Sequence, residues 1–418
     1  MAECASGRQH SLYLDPLGYV WSCGCNQNGQ LGLGHLELTL IPEKINNLPP
    51  IISISAGNNF SLFVDVNKSI WSCGNNQFGQ LGLEDLNQRN FPEQIKNLPK
   101  IISAIALSTS SIFLDCEGSV WGCGLNQYGE LGLGDTTQRN KAEKIQGLPT
   151  IKSIAAGYNH SLFLDCSGSV WSCGDNEASS WGLRDRKGTT RAENIEGLPK
   201  ITSMAGGAHF SLFLDEEGNV WVCGNNRYGS LGLGHSNEID SPQKNKHVSG
   251  IVAVAGGNAY FSMFLDKQGN VFTCGNNPGG QLGLGDKKDR HIPQKVNNIP
   301  PISSLSSCNT AWNYLQVVDC DGQVWGCGYN SGQLGVDHTN PTETFQRMET
   351  FCKPKGPEEI EQPATQEAEI RVDEKELFKA MEKEQSKELI QSTLLSENFH
   401  LGIAFEAPLS NENTKSAI

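Results

Sequence analysis

Short apolar runs alternate along the chain with turn-forming residues, in a unit that recurs throughout the sequence. The unit Ile151–Lys200 shows the pattern. Alternating positions and small residues at Ile151–Gly157 predict a first strand, and the apolar runs Ser161–Asp165 and Val170–Cys173 predict two more. The Asp and Gly between the second and third runs are typical of a hairpin turn. A short fourth strand is predicted at Ala192–Ile195, before Gly and Pro interrupt the chain.

One dipeptide marks the period of this unit. Cys-Gly ends the third predicted strand of every copy, and successive cysteines are 50, 50, 50, 50, 51 and 53 residues apart. Self-similarity at a period of this size is typical of repeat architectures. The seven cysteines are Cys23, Cys73, Cys123, Cys173, Cys223, Cys274 and Cys327.

Four short strands per unit predict an all-β chain that folds as a seven-bladed β-propeller. Each unit has an apolar face that it cannot bury alone, so we expect neighbouring units to pack against one another in a closed ring. The predicted propeller occupies residues 1–351. Contacts between its first and last units must close the ring.

Two further repeated features favour architecture over chemistry. The residue two positions before each repeated cysteine is Trp in six units and Phe272 in the other, so one slot accepts either ring. We interpret it as packing between blades. The Gly-Gln-Leu-Gly-Leu-Gly loop that follows lacks the Lys-Ser/Thr of a phosphate loop, and no helix is predicted after it. We interpret it as a tight turn whose leucines fill the blade.

The charge of the chain limits its partners. The net charge is −14, and the 14 acidic and 8 basic side chains beyond Phe351 give that stretch −6, which leaves −8 for the repeats. Binding phosphates requires clustered Lys and Arg, so we do not expect a nucleic-acid partner. No apolar stretch approaches 18 residues, so we expect no membrane span or membrane partner.

Cysteine usage bears on location. The sequence starts without the basic and apolar pattern of a signal peptide, and seven cysteines recur inside apolar strands. Buried free cysteines behave as small hydrophobic residues. We therefore expect reduced thiols and a cytoplasmic location, with the nucleus as the alternative.

The loop of the fourth unit departs from the repeat. Where its neighbours read Gly-Gln-Leu-Gly-Leu-Gly or a close variant, it reads Ser-Ser-Trp-Gly-Leu-Arg, and basic residues follow. Departures from a local rule are often functional, and Trp and Arg dominate binding hot spots. We predict that this loop docks an acidic segment of a partner; the alternative is that the tryptophan replaces the loop leucine in the core and the charges form a solvated loop. The candidate residues are Trp181, Arg184, Arg186, Lys187 and Arg191.

The seventh unit is irregular as well, with extra residues before its second strand. One interpretation is that Trp312 and Tyr314 form a lip on one face of the propeller. The other is adapted packing at the closing blade, because terminal repeats are commonly atypical.

No pattern predicts a catalytic residue, a metal or a cofactor. His10 and His160 share a repeat position with Phe60 and Phe210, which indicates a structural role. Cys23-Gly-Cys25 is not a paired zinc motif, and the sequence contains no nucleophile elbow or catalytic triad signature. We therefore predict a protein that is not an enzyme and that holds no metal or cofactor.

The sequence changes character after the repeats. Pro-, Glu- and Gln-rich sequence predicts a disordered acidic linker over 352–372. A capping arrangement at Asp373 and Glu376, followed by an imperfect apolar stripe, predicts an amphipathic helix over 373–401. The stripe would pack on the propeller, pair with another chain or fill a groove of a partner. Residues 402–418 are predicted to be loose.

The repeated pattern has a known counterpart. Ala-Gly-x-x-His-Ser-Leu-x-Leu-Asp, then Gly-x-Val-Trp-x-Cys-Gly-x-Asn, then Gly-Gln-Leu-Gly-Leu-Gly, resembles the repeat of the regulator of chromosome condensation family. Ala156–Asp165, Gly168–Asn176 and Gly280–Gly285 show it best, and the resemblance covers about residues 1–351. It implies a seven-bladed propeller. The founding member is a nuclear guanine-nucleotide exchange factor for the small GTPase Ran that also binds chromatin, and other relatives use the propeller as an interaction module beside ubiquitin-ligase or kinase domains.

From these features we predict a protein–protein interaction scaffold or adaptor that recognises partners with loops on one face of a rigid ring. The alternative is a guanine-nucleotide exchange factor or regulator of a small GTPase of the Ran or Rho type. The founding exchange factor inserts a wedge from one blade, and the near-constant early spacings leave no room for a long insertion. We expect other proteins as partners, with a small GTPase and a ubiquitin-pathway component as the candidates.

Overall fold

The strands pair in chain order, and each sequence repeat forms one blade. The computed structural model describes residues 3–182, 187–306 and 310–348. Each blade is an antiparallel sheet of four consecutive strands, and there are seven such sheets. The predicted all-β, seven-bladed propeller is therefore confirmed. In these ranges there is no helix, and so none that could span a membrane. The predicted linker at 352–372, the helix at 373–401 and the segment 402–418 lie outside the described residues.

The strands of the first four blades keep nearly constant lengths. Blade 1 comprises β1 (Glu3–Ser6), β2 (His10–Leu14), β3 (Val20–Gly24) and β4 (Thr39–Lys44); blade 2 comprises β5 (Ile51–Ala56), β6 (Phe60–Asp65), β7 (Ile70–Gly74) and β8 (Arg89–Gln94); blade 3 comprises β9 (Ile101–Ala106), β10 (Ser110–Asp115), β11 (Val120–Gly124) and β12 (Arg139–Lys144); blade 4 comprises β13 (Ile151–Ala156), β14 (His160–Asp165), β15 (Val170–Gly174) and β16 (Thr189–Asn194).

The remaining three blades follow the same order. Blade 5 comprises β17 (Ile201–Gly206), β18 (Phe210–Asp215), β19 (Val220–Gly224) and β20 (Ile239–Lys244); blade 6 comprises β21 (Ile251–Gly257), β22 (Phe261–Asp266), β23 (Val271–Gly275) and β24 (Arg290–Lys295); blade 7 comprises β25 (Ile302–Leu305), β26 (Tyr314–Asp319), β27 (Val324–Gly328) and β28 (Thr342–Arg347).

Burial follows the position of a strand within its blade. The second strand lies between two strands of its own sheet as well as between two neighbouring blades, so β14 is buried at all of its positions. The fourth strand lies at the outer edge, and β16 has no fully buried residue. The apolar runs of the sequence thus mark inner strands.

In the six blades that carry the repeated tryptophan, the turn aspartate also orients its ring. Asp165 Oδ1 accepts the backbone N–H groups of Ser167 and Ser169, each at 2.9 Å, and Asp165 Oδ2 accepts the indole N–H of Trp171 at 3.1 Å. The same indole bond recurs in the other five Trp-containing blades at 2.8–3.4 Å. The half-buried Trp171 packs on a core cluster shared by blades 3 and 4. The predicted inter-blade role of this ring is confirmed.

The core of the propeller is divided into seven clusters, and each of them joins two adjacent blades. The largest joins blades 6 and 7, and the smallest, which joins blades 7 and 1, holds six buried residues. The predicted role of the loop leucines is confirmed, because Leu31, Leu81 and Leu131 are completely buried.

A repeated pair of hydrogen bonds, which we call the clasp, joins each blade to the one before it. The Ser161 hydroxyl and the Cys173 thiol of blade 4 both donate to the backbone carbonyl of Glu130 in blade 3, at 2.7 Å and 3.6 Å. Blades 2, 3, 5 and 6 repeat both bonds. In blade 7 the serine is replaced by Leu315, and only the Cys327 bond is made. Each such bond contributes about 1 kcal/mol.

Burial keeps the clasp thiols protonated. It raises the pKa of Cys23 to about 12 and raises the pKa of the other six repeated thiols still further. A protonated thiol can donate a hydrogen bond and is a poor nucleophile. All seven cysteines are free of disulfides, so their recurrence serves the ring.

Among residues 3–182, 187–306 and 310–348, no strand of one end joins the sheet of the other, and blades 7 and 1 meet through side chains. The Ser11 hydroxyl and the Tyr13 hydroxyl donate to the Gln333 carbonyl at 2.7 Å and 3.2 Å, so that Tyr13 takes the place of the cysteine in the clasp. The Tyr314 hydroxyl lies 2.8 Å from the carbonyl oxygens of both Gly7 and His10. The Gln316 amide donates to the Tyr13 hydroxyl at 2.7 Å. This seam therefore combines a small apolar cluster with a buried polar network.

We predict that Tyr314→Phe weakens the seam. Removal of the hydroxyl leaves the buried Gly7 carbonyl without that donor, so the free energy of unfolding should fall by about 1–3 kcal/mol. Urea unfolding followed by tryptophan fluorescence measures the change. Tyr329→Phe is the matched control. Because Tyr329 is 42% exposed, the free energy of unfolding of this variant should stay unchanged. Equal stability of the two variants would contradict the role of the seam hydroxyl.

Candidate functional site

The irregular loop of blade 4 turns its tryptophan inward. Trp181 is completely buried in the cluster between blades 4 and 5, in the slot that leucine fills in the other blades. Its indole N–H donates to the Asp175 carbonyl at 2.9 Å. Trp181 therefore supports the loop from inside and presents no surface to a partner, as the alternative interpretation of the sequence held.

Ser179, two residues before Trp181, also departs from the repeat. Its backbone is left-handed, with φ 54°, and the other blades have glycine at this position. In blade 1, for example, a Cβ added to Gly29 would lie 2.6 Å from the Asn90 Cα. The Ser179 hydroxyl donates to Asp240 of blade 5 at 2.7 Å. The described part of this loop is thus fitted to the neighbouring blade.

The basic residues of this loop are only partly described. Lys187 and Arg191 are exposed, and the Arg191 guanidinium lies against Gly134 of blade 3. Arg184 and Arg186 lie outside the described residues. The docking of an acidic segment by this loop stays a prediction.

A second surface, which we call the loop face, collects two loops from every blade. In an antiparallel meander the connection from first to second strand and the connection from third to fourth strand leave the same edge. The Cys25 N–H bond to the Gln9 carbonyl, at 2.8 Å, joins the two loops of blade 1. We use the name loop face for the first-to-second connections and for only the first five or six residues of the third-to-fourth connections; the later residues of those connections carry further carboxylates, among them Glu37, Glu238, Asp286, Asp289 and Asp337. The loop face comprises residues 7–9, 25–30, 57–59, 75–80, 107–109, 125–130, 157–159, 175–180, 207–209, 225–230, 258–260, 276–281, 310–313 and 329–333.

The loop face is rich in aromatic side chains. Trp312, Tyr329 and Tyr128 are 44%, 42% and 40% exposed, which is unusual for such large rings. Of the two residues predicted to form a lip, Trp312 is exposed and Tyr314 is wholly buried in the seam. The aromatic residues of the loop face are Phe78, Tyr128, Tyr158, Tyr228, Tyr260, Trp312 and Tyr329.

The same surface is poor in charge, although the chain is acidic. Its carboxylates are Glu130, Asp175 and Glu177, all in blades 3 and 4, and its cations are Arg8 and Arg227 with the imidazole of His209. Aromatic residues and arginine are enriched in the cores of protein interfaces, while Lys, Glu and Asp are depleted there. The loop face has that composition.

Two of its carboxyl groups are buried and differ in their ionisation. Burial alone would raise the pKa of Asp175, but the hydrogen bonds from His209, in a pair 3.3 Å apart, and from the Glu177 N–H, together with the nearby imidazoles, hold that pKa below its usual range. Burial raises the pKa of Glu130 to about 7, although the Tyr128 N–H bonds its carboxyl at 2.8 Å. Of the three carboxylates of the loop face, only Glu177 is exposed.

We predict that Glu130→Gln stabilises the fold at high pH. A carboxyl whose pKa is raised by folding stabilises the fold below its unfolded pKa of 4.5 and loses that contribution as the pH rises through about 7. The gain should be about 2–3 kcal/mol at pH 8 and under about 1 kcal/mol at pH 5. Urea unfolding at both values measures it.

The repeat supplies a matched control for this change. Gln80 fills the same slot in blade 2 and bonds the Phe78 N–H at 3.0 Å. Gln80→Glu should therefore introduce the pH dependence that Glu130→Gln removes. An equal effect of Glu130→Gln at pH 5 and pH 8 would show that the charge of Glu130 is irrelevant.

The buried histidines have the structural role predicted for them. His10 and His160 place Nε2 at 3.1 Å and 3.0 Å from the clasp serines of the next blades. Burial lowers the pKa of both to about 3. Among residues 3–182, 187–306 and 310–348, no three His, Cys, Asp or Glu side chains are grouped to hold a metal ion.

Comparison with known families accounts for the repeated part of the chain. Residues 111–362 match the RCC1-like domain. Residues 18–64 and 68–114 match the regulator of chromosome condensation (RCC1) repeat, and a second description of that repeat matches residues 5–30 and 51–80.

The matches to curated proteins are partial. The chain is 34% identical over 114 residues to the secretion-regulating guanine nucleotide exchange factor of Bos taurus, which covers 25% of this chain and 23% of that protein. It is 33% identical over 115 residues to the probable E3 ubiquitin-protein ligase HERC4 of Homo sapiens, covering 26% and 11%. The chain thus spans less than a quarter of the length of these relatives.

Solved structures share the fold over a larger region. Prp20p from Saccharomyces cerevisiae, described with binding properties to Gsp1p and histones, superposes with a TM-score of 0.70 at 23% identity and covers 81% of this chain and 87% of its own. At this identity the likeness establishes the propeller and no activity.

Proposed function

The chain belongs to the RCC1-like propeller family, and from this premise we propose that it is a protein–protein interaction module whose loop face receives the partner. The observation that carries the proposal is the composition of that face. It combines seven aromatic residues with two arginines and a single exposed carboxylate on a chain of net charge −14. Such a surface favours contact with another protein.

The ring supports this role because it holds the loops in place. The clasp fixes a carbonyl within the third-to-fourth loops, and backbone bonds to the next blade hold the first-to-second loops of blades 1, 2 and 4, as in the bond from the Tyr158 N–H to the Gly207 carbonyl at 3.1 Å. A surface that is rigid before binding loses little conformational entropy in the complex. Binding without chemistry needs no further group, so we propose that the protein is not an enzyme.

Regulation of a small GTPase is the second candidate. It is favoured by the relatives, since one is named a guanine nucleotide exchange factor and Prp20p is described with Gsp1p. The described loops between first and second strands are short, with no long element to insert into a nucleotide site. The relative named as an E3 ubiquitin-protein ligase likewise suggests a ubiquitin-pathway partner. The free thiols of the clasp favour a reducing compartment, the cytoplasm or the nucleus.

We predict that the double variant Trp312→Ala, Tyr329→Ala loses its protein partners. Both rings are exposed, so the fold should keep its stability while the apolar contact disappears. The measurement is quantitative affinity capture with the full chain. The control is Leu17→Ala, Tyr19→Ala on the opposite face, with side chains 75% and 44% exposed. Loss in the control, or none in the loop-face variant, would contradict the assignment of this face.

We expect no exchange activity from an interaction module. The full chain, added to a panel of small GTPases loaded with fluorescent GDP, should leave the rate of nucleotide release unchanged. Accelerated release by any member of the panel, abolished in the Trp312→Ala, Tyr329→Ala variant, would replace the first proposal with the second. Release forced by EDTA confirms that each GTPase is competent.

A further inference from the structure

Charged side chains are unevenly distributed over the loop face. Its three carboxylates lie in blades 3 and 4, while the described loop-face residues of the other five blades contain no Asp or Glu. Blades 5, 6, 7 and 1 are contiguous because blade 7 contacts blade 1. We call their part of the loop face the arc. Both arginines of the loop face lie in the arc, and neither forms an ion pair with a described residue, unlike Arg89, Arg139 and Arg290.

Each arginine of the arc lies over an aromatic ring. The Arg8 guanidinium is 4.3 Å from the ring centroid of Trp312, so this contact crosses the seam from blade 1 to blade 7. The Arg227 guanidinium is 5.5 Å from the centroid of Tyr228 in blade 5. Stacking on a ring fixes the plane of the guanidinium and leaves its N–H edges available to a carboxylate.

Aromatic rings continue between the two arginines. The Tyr260 ring of blade 6 lies 5.5 Å from the Tyr228 centroid and 6.1 Å from that of His209. Tyr260 also has a left-handed backbone with φ 61°, a conformation that is sterically costly for a bulky side chain. Strain of this kind collects at sites where it positions a group for function. It presents the Tyr260 ring within the arc.

We propose that the arc binds an acidic peptide segment of a protein partner, with the guanidiniums of Arg8 and Arg227 bonding carboxylates and the rings of Tyr228, Tyr260 and Trp312 packing on the segment between them. This inference rests on the proposed function and specifies the chemistry of its partner. Charge complementarity selects an acidic segment, because neither arginine of the arc has a carboxylate partner among the described residues.

Single-stranded nucleic acid is the competing ligand, since it also stacks on aromatic rings. It carries a phosphate at every nucleotide, however, and the arc offers two guanidiniums on a chain with 46 acidic and 32 basic side chains. Sparse carboxylates separated by apolar residues fit two stacked cations better than a continuous phosphate chain does.

A peptide selection tests the proposal. The full chain is screened against a phage library of random 12-residue peptides, and the dissociation constants of selected peptides are measured by fluorescence anisotropy. Most selected peptides should carry at least two Asp or Glu residues, and their affinity should fall as salt rises from 50 to 300 mM. The double variant Arg8→Glu, Arg227→Glu should weaken them at least tenfold, about the loss expected for a hot-spot cation.

The control carries the same change in net charge on the opposite face. Lys96→Glu, Lys100→Glu alters two exposed lysines in the connection between blades 2 and 3 and should leave the dissociation constants unchanged. Thermal unfolding shows whether both variants fold. The conservative pair Arg8→Lys, Arg227→Lys keeps the charge and should retain most of the affinity if charge recognition dominates.

Several outcomes would overturn the inference: no selected peptides, peptides without acidic residues, or equal weakening by both charge variants. A labelled oligouridylate that binds the wild type and loses binding in Arg8→Glu, Arg227→Glu would assign the arc to nucleic acid. Selected peptides that lack acidic residues but require Trp312 and Tyr329 would overturn the arc and keep the proposed function. Peptides that bind the Trp312→Ala, Tyr329→Ala variant unchanged would contradict both.

Discussion

One backbone carbonyl per blade holds this ring together. The carbonyl lies in the turn after the third strand, and at five of the seven blade boundaries it accepts hydrogen bonds from the serine and the cysteine of the next blade, as the Gln30 carbonyl does from Ser61 and Cys73 at 2.7 Å and 3.6 Å. A buried carbonyl has two lone pairs to satisfy, and the clasp satisfies them across a blade boundary. The recurring serine, cysteine and glycine of the sequence are consequences of this single requirement.

The seam between blades 7 and 1 differs from the other blade boundaries. Ser11 makes the serine bond of the clasp there, but the Cys23 thiol lies 3.6 Å from the Tyr13 hydroxyl, and the cluster at the seam is the smallest of the seven. Buried hydroxyl and amide groups of Tyr13, Tyr314 and Gln316 supply cross-blade bonds there. Because the described strands of blades 7 and 1 belong to separate sheets, closure depends on this polar network. The irregularity that the sequence shows in the seventh unit is therefore an adaptation of the closing contact.

The sequence predicts features that repeat and misses those that do not. The strands, the hairpin turns and the role of the tryptophans were all predictable because seven copies place the same residue in the same environment. Trp181 broke the pattern and suggested a surface site, yet its slot belongs to the core, and the larger ring fills the space between blades 4 and 5. A change of residue type at a core position of a repeat is therefore explained first by packing.

The loop face could not be located by periodicity, because each blade contributes a different residue to it. Arg8 and Trp312 are about 300 positions apart in the sequence and meet only because the ring closes. The signal that was available lies just after each repeated Cys-Gly, where five of seven repeats lack Asp and Glu although carboxylates follow later in the same connections. That distribution was informative only after the two loop sets were known to share one face.

Comparison of the seven repeats with one another distinguishes positions that stabilise the fold from positions that are available to a partner. The slot of His10 holds His, Phe, Ser or Tyr, and in each case the side chain reaches the next blade or its own turn, so variation there is a packing choice. Residues beside it in the same loops, such as Arg8, His209 and Tyr260, vary without a shared structural contact. A rigid ring removes the need for these side chains to stabilise the fold. The choice of residue at these positions can then follow the partner that binds there. For this reason the loops, rather than the blades, carry the specificity of this protein.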